Sequence, residues 1–143
     1  MNANLQKAKN SLIKNGYTCV LFNGTKEYSS TLRGVKPLID FLESDINFKG
    51  FVAADKTVGA GAAYLYVLLG VGAVYARIIS EPAVAVLQAH GIRVECDRIV
   101  PNIINRRGDG ICPFEAAVME IPEPNEAYRA ILRKMQEMNI PIQ

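Results

Sequence analysis

The chain has a single histidine, His90, and three cysteines, Cys19, Cys96 and Cys112, in 143 residues. None of the cysteine spacings matches a zinc knuckle or a CxxC redox motif, and three thiols cannot all pair within one chain. The spacing therefore predicts no metal centre and no disulfide framework. Charge of one sign is also scarce: 16 Lys and Arg stand against 14 Asp and Glu, a formal net charge of +2. That excess is too small to hold a nucleic-acid backbone without sequence reading, so nucleic acid is not the expected partner. No charged-then-apolar leader opens the sequence. Its longest apolar stretch, Val58 to Val74, is broken by Gly59, Gly61, Gly70 and Gly72, which excludes a signal peptide and a membrane span. The expectation is a cytoplasmic protein with reduced thiols.

What is present is ordinary globular composition, half apolar and 21% charged, enough for one domain over residues 1–143. Asn4 to Asn15 carries Leu5, Ala8, Leu12 and Ile13 at helical spacing, closed by Gly16. Tyr17 to Phe22 reads as a buried strand, Asn23-Gly24 as a hairpin turn, and Lys26 to Leu32 as the return strand. Gly34 to Ser44 is helical, with Pro37 in its first turn. Short apolar strands then alternate with helices, the pattern of parallel strands joined by crossovers. The strands are Gly50 to Ala54, Ala73 to Ile79 and Ile92 to Cys96; the helices are Thr57 to Leu69 and Glu81 to His90. A polar loop from Pro101 to Gly110 leads to a short helix, Pro113 to Met119, and a last helix spans Asn125 to Met138. The expected fold is α/β, a three-layer α/β/α domain around a mixed five-stranded sheet.

A hairpin followed by helix, strand, helix, strand, helix, strand is similar to the cytidine deaminase-like fold. Three segments carry a closer resemblance: Val52-Ala53-Ala54-Asp55-Lys56-Thr57-Val58-Gly59, Ile79-Ser80-Glu81-Pro82-Ala83, and Asn105-Arg106-Arg107-Gly108-Asp109-Gly110-Ile111-Cys112-Pro113-Phe114-Glu115. Together they resemble a small prokaryotic family known as a domain of unknown function and grouped structurally with the deaminases, over roughly residues 15–120. A zinc deaminase needs a His or Cys beside a catalytic Glu, then two Cys three apart, so that three ligands leave a position for the attacking water. In topological register those motifs fall near Arg33-Gly34-Val35 and Asp55-Lys56-Thr57-Val58. In local register, Glu81-Pro82-Ala83-Val84-Ala85-Val86 puts Ala83 and Val86 where thiols belong. Neither register supplies a zinc ligand, so the resemblance implies a zinc-free member with no cofactor.

Candidate residues cluster at the expected strand ends, where α/β proteins place ligands. Asp55 is read as capping the helix that follows and Lys56 as reaching a substrate anion. Ser80 is a good N-cap, and Glu81 suits the positive end of a helix dipole. In the loop, Asn105, Arg106, Arg107 and Gly110 could bind a phosphate or carboxylate, or the arginines could simply be solvated. Cys112, before Pro113, is an expected N-cap and a candidate nucleophile. Glu115 is read either as a ligand residue or as a carboxylate closing back on the Cys112 amide. Cys19 and Cys96 read as core fillers.

Asp55, Lys56, Ser80 and Glu81 are expected to converge at one sheet edge. Three functions are open. The first is a binding domain for a nucleotide-like or other anionic small molecule. The second is a metal-free enzyme using Cys112, or Asp55 and Glu81 as acid and base. The third is a homo-oligomeric assembly module built on the apolar helix Val58 to Leu69.

Overall fold

The computed structural model describes residues 2–141. Helix α1 (Ala3–Asn15) begins where the Asn2 side chain accepts the Leu5 amide at 2.6 Å and ends at Gly16 in the left-handed conformation. Strands β1 (Cys19–Phe22) and β2 (Glu27–Ser30) form the hairpin about Asn23-Gly24, whose Asn23 side chain accepts the Thr25 and Lys26 amides. Helix α2 (Lys36–Glu43) follows, then β3 (Val52–Val58), α3 (Ala60–Leu69), β4 (Ala73–Ser80), α4 (Glu81–Ala89) and β5 (Arg93–Val100). A short α5 (Pro113–Ala117) and a longer α6 (Pro124–Glu137) complete the chain.

The five strands lie in the order β2-β1-β3-β4-β5, antiparallel across β2, β1 and β3 and parallel across β3, β4 and β5. Alternation along the strands feeds two cores. On one face, Val20, Val52, Ala54, Ala73 and Tyr75 pack against Leu5, Ala8 and Leu12 of α1. On the other, Leu21, Ala53, Val74, Ala76 and Ile79 lie among residues of α2 to α6. This is the expected three-layer α/β/α arrangement on a mixed sheet.

Helix α3 is buried on nearly every side because α2, α4, α5 and α6 all pack around it. Its apolar character is thus satisfied within one chain, which removes the reason for reading it as an assembly surface. Gly61 permits the close approach of α5, since a Cβ there would lie 3.0 Å from the Phe114 carbonyl oxygen.

Two boundaries depart from the sequence reading. Strand β3 continues through Asp55, Lys56 and Thr57 to Val58, so the helix begins at Ala60, with Gly59 as N-cap. Asp55 therefore caps no helix. Strand β5 continues from Cys96 to Val100. Both extensions have one cause: pairing with β4, through Thr57↔Ile78 and Val58↔Ile79 on one side and Ile78↔Arg98 to Ser80↔Val100 on the other, overrides the local preference of polar residues for a turn.

Candidate functional site

The parallel ladders share an irregularity. Their pairing runs Asp55–Ala76–Cys96, then Thr57–Ile78–Arg98, stepping across the row Lys56, Arg77 and Asp97. Before the step, Ala53 and Ala76 face the larger core; after it, Val58 and Ile79 do so. The spacing is odd where regular alternation requires it to be even, so each strand sets two consecutive residues toward the opposite face. A hollow of about 450 Å³ on that face is lined by Lys56 with Thr57, Arg77 with Ile78, and Asp97 with Arg98. A second, of about 530 Å³, shares Thr57, Ile78 and Arg98 and is walled by Val100, Pro101, Asn102, Ile103, Ile104 and Ile111. The two hollows make one groove, basic at one end and apolar at the other.

Helix α1 reaches only the near end of this face. Lys9 of α1 lies 4.8 Å from the centroid of the Tyr75 ring and 3.9 Å from Asp97, while the Tyr75 hydroxyl donates to Asp97 at 2.6 Å. The one carboxylate of the groove is thus already engaged. Among the described residues Lys56, Arg77 and Arg98 take part in no salt bridge. Neighbouring parallel strands are about 4.8 Å apart, which brings these cations within reach of one small anion.

On the opposite face of β3, Asp55 meets Tyr66 of α3, whose hydroxyl donates to Asp55 Oδ2 at 2.6 Å; the same hydroxyl lies 3.3 Å from the Cys19 sulfur. The other carboxylate oxygen, Oδ1, accepts the Thr57 amide at 3.2 Å. Burial pushes Asp55 up to about 7, against the lowering effect of the Tyr66 hydroxyl and the Thr57 and Lys56 amides. Burial also raises the Cys19 thiol and the Tyr66 phenol well above their ordinary ranges.

Ser80 and Glu115 are brought together in the interior, at 0% and 1% exposure. Glu115 Oε1 accepts the Ser80 hydroxyl and, at 2.8 Å, the Ala60 amide at the start of α3; Oε2 accepts the Ile103 amide. The Ser80 oxygen also accepts the Ala83 amide at 3.2 Å, as an N-cap should. Glu115 does not close back on Cys112, whose amide donates instead to the Ile103 carbonyl. A carboxylate at a buried helix N-terminus satisfies three donors from three elements, and that network takes precedence over a local capping box. It also fixes the root of the loop that walls the groove.

The remaining candidates separate. Asn105 organises its own turn, accepting the Gly108 and Asp109 amides and donating to Asp109, while its backbone amide donates to the Gly110 carbonyl. Arg106 is exposed at that turn, and Arg107, with its side chain 85% exposed, faces Asp109 at 4.0 Å. Glu81 is exposed in the first turn of α4, whereas Asp55 is half-buried in β3 and bonded to Tyr66 and Thr57, so among the described residues no hydrogen bond joins the expected acid–base pair. Cys112 is the N-cap of α5, but its side chain makes no capping bond and packs half-buried against the core. Of the four residues expected to converge, only Lys56 lines the groove.

The sequence reading missed Thr57, Arg77 and Arg98. Arg77 carried a signal, a lone charge inside the apolar strand Ala73 to Ile79. Arg98 carries none, because the apolar pattern of β5 ends at Cys96 while the strand itself runs to Val100. Among the described residues no three His, Cys, Asp or Glu side chains cluster as metal ligands would, and no helix is long and apolar enough to cross a membrane.

Fold and groove together define an α/β fold with a mixed five-stranded sheet and one partly uncovered, basic sheet face. The chain belongs to the family described as Domain of unknown function (DUF1893), TM1506, whose sequence profile matches residues 7–135. It is similar to the DUF1893 family protein TM1506 of Thermotoga maritima, known from a crystal structure at 2.70 Å resolution: 27% identity over 94% of this chain and 92% of that one, with a TM-score of 0.86. Comparison with curated proteins gave no match.

Proposed function

We propose that the protein is a binding domain for a small anionic molecule, nucleotide-like or otherwise, held in the groove between the ends of β3, β4 and β5 and the root of the 101–111 loop. The observation that carries this reading is the doubled row of residues on one sheet face, which gathers Lys56, Arg77 and Arg98, none of them in a salt bridge among the described residues, beside an Asp97 that is engaged by Tyr75 and Lys9. Unpaired cations on adjacent strands repel one another, and an anion relieves that repulsion. Guanidinium groups suit the planar or tetrahedral oxygens of carboxylates and phosphates. The isoleucine wall suits an apolar body attached to the charged group.

The strand order, with its antiparallel hairpin beside two parallel crossovers, supports a cytidine deaminase-like scaffold. The amide at the start of α3 is filled by the chain's own Glu115, which favours the groove over that helix end as the place for a ligand. Three unpaired thiols fit a reducing, cytoplasmic setting.

A thermal-shift series with inorganic phosphate, sulfate, citrate and nucleoside monophosphates tests the reading. A ligand at a hundred times its Kd should stabilise by about 2.7 kcal/mol, a shift of several degrees. Arg77→Glu and Arg98→Glu should abolish that shift. No stabilisation by any anion, or the same stabilisation in both variants, would contradict it.

A further inference from the structure

We propose that Asp55, half-buried with Tyr66 and Cys19 on the sheet face opposite the groove, couples anion binding to the uptake of a proton, so that the site fills more readily in mildly acidic than in mildly alkaline conditions. This rests on the groove being an anion site.

The geometry links the two directly. Lys56 and Thr57, which line the groove, follow Asp55 in β3, and the Thr57 amide is bonded to the Asp55 carboxyl. A negative charge on Asp55 lies across one strand from the place where an anion would sit. At low ionic strength a repulsion over so short a distance is still felt.

The titratable groups facing Asp55 are Cys19, opposite it on β1, and Tyr66 on α3; β4 sets the uncharged Ala76 alongside. On its own strand Lys56 points to the other face. Cys19 and Tyr66 are held in their neutral forms, so Asp55 is the member of the cluster that titrates near neutrality.

The chain of hydrogen bonds accepts either state of the carboxyl. With Asp55 ionised, Tyr66 donates to Oδ2 and the thiol donates to the phenol oxygen. With Asp55 protonated, the carboxyl donates to the phenol oxygen and Tyr66 donates to the sulfur, since a hydroxyl and a thiol can each give and receive. No buried group loses its partner, so protonation is accommodated by reversing the chain. By linkage, an anion that binds better beside neutral Asp55 must draw a proton onto it.

Sulfate is the probe, because it stays doubly charged across the range. Sulfate binding to the whole protein is measured by calorimetry at low ionic strength at pH 6 and pH 8, and near pH 7 in two buffers of different ionisation enthalpy. The expected result is about fivefold tighter binding at pH 6, with proton uptake near pH 7. Asp55→Asn should bind at pH 8 as the parent does at pH 6. Tyr66→Phe, which removes a bond that favours the ionised carboxyl, should move the midpoint to higher pH. Binding that is equally tight at both pH values and takes up no proton in the parent protein overturns the coupling while leaving the groove intact. Absence of sulfate binding at either pH overturns both. The proton count in the parent decides the matter even if a variant does not fold.

Discussion

The Ser80 hydroxyl donates to the buried carboxylate of Glu115, joining two residues thirty-five positions apart. Through that carboxylate the N-cap of α4, the first turn of α3 and the loop at Ile103 are held to one point. Glu115→Ala would leave three buried or partly buried donors without their acceptor, at a cost of about 3 kcal/mol or more. Glu115→Gln turns one acceptor into a donor and should cost less. Chemical denaturation gives the loss of stability. Hydrogen exchange should show the Ile103 and Ala60 amides losing protection in the alanine variant, ahead of the sheet.

Asp55 should make stability depend on pH in its own right. Its folded value of about 7 lies above the ordinary 3.8, so the folded state holds the proton more tightly than the unfolded chain. The resulting stability is fully present below the unfolded value and is lost as pH rises to about 7. Asp55→Asn should therefore be more stable than the parent at pH 8, by about 2–4 kcal/mol. That advantage should shrink steadily toward pH 4. Urea denaturation of both proteins at pH 5 and pH 8 measures it.

Gly61 is a test of the packing between α3 and α5. A methyl group there would meet the backbone carbonyl of Phe114 at 3.0 Å, and backbone cannot swing aside as a side chain can. Gly61→Ala should destabilise by about 1–3 kcal/mol despite its better helix propensity. A shift of the melting temperature upward would show that α5 is free to move.

The tip of the 102–112 loop should be dispensable for binding. Arg106 and Arg107 lie outside the groove lining, and the Asn105 turn is closed on itself. Arg106→Ala with Arg107→Ala should leave phosphate-induced stabilisation unchanged within about twofold in affinity, allowing for weak long-range attraction. A loss comparable to that of Arg98→Glu would move the site to the loop.

The fold was legible because its signals are local. Helix α1 advertises its faces through Leu5, Ala8 and Leu12, Asn23-Gly24 announces the hairpin, and apolar strands alternate with helices thereafter. Most of the candidate site was not, for two reasons. Asp55-Lys56-Thr57 after an apolar run looks like a helix cap, yet pairing with β4 keeps those residues extended and divides them between two faces. Glu115 looks like a local cap for Cys112, yet its partners Ala60 and Ser80 are fifty-five and thirty-five residues away. Lys56 was identified for its charge and its approximate place. Arg77 and Arg98 gain their meaning from the irregular row shared by three strands, which no single segment encodes.

The most direct test of the central claim is a backbone-amide NMR titration of the protein with sulfate at pH 6. Shifts concentrated at Lys56–Thr57, Arg77–Ile78 and Asp97–Arg98, saturating together and abolished by Arg77→Glu, are the predicted result. Shifts centred on Arg106 and Arg107, or none that saturate, would contradict it.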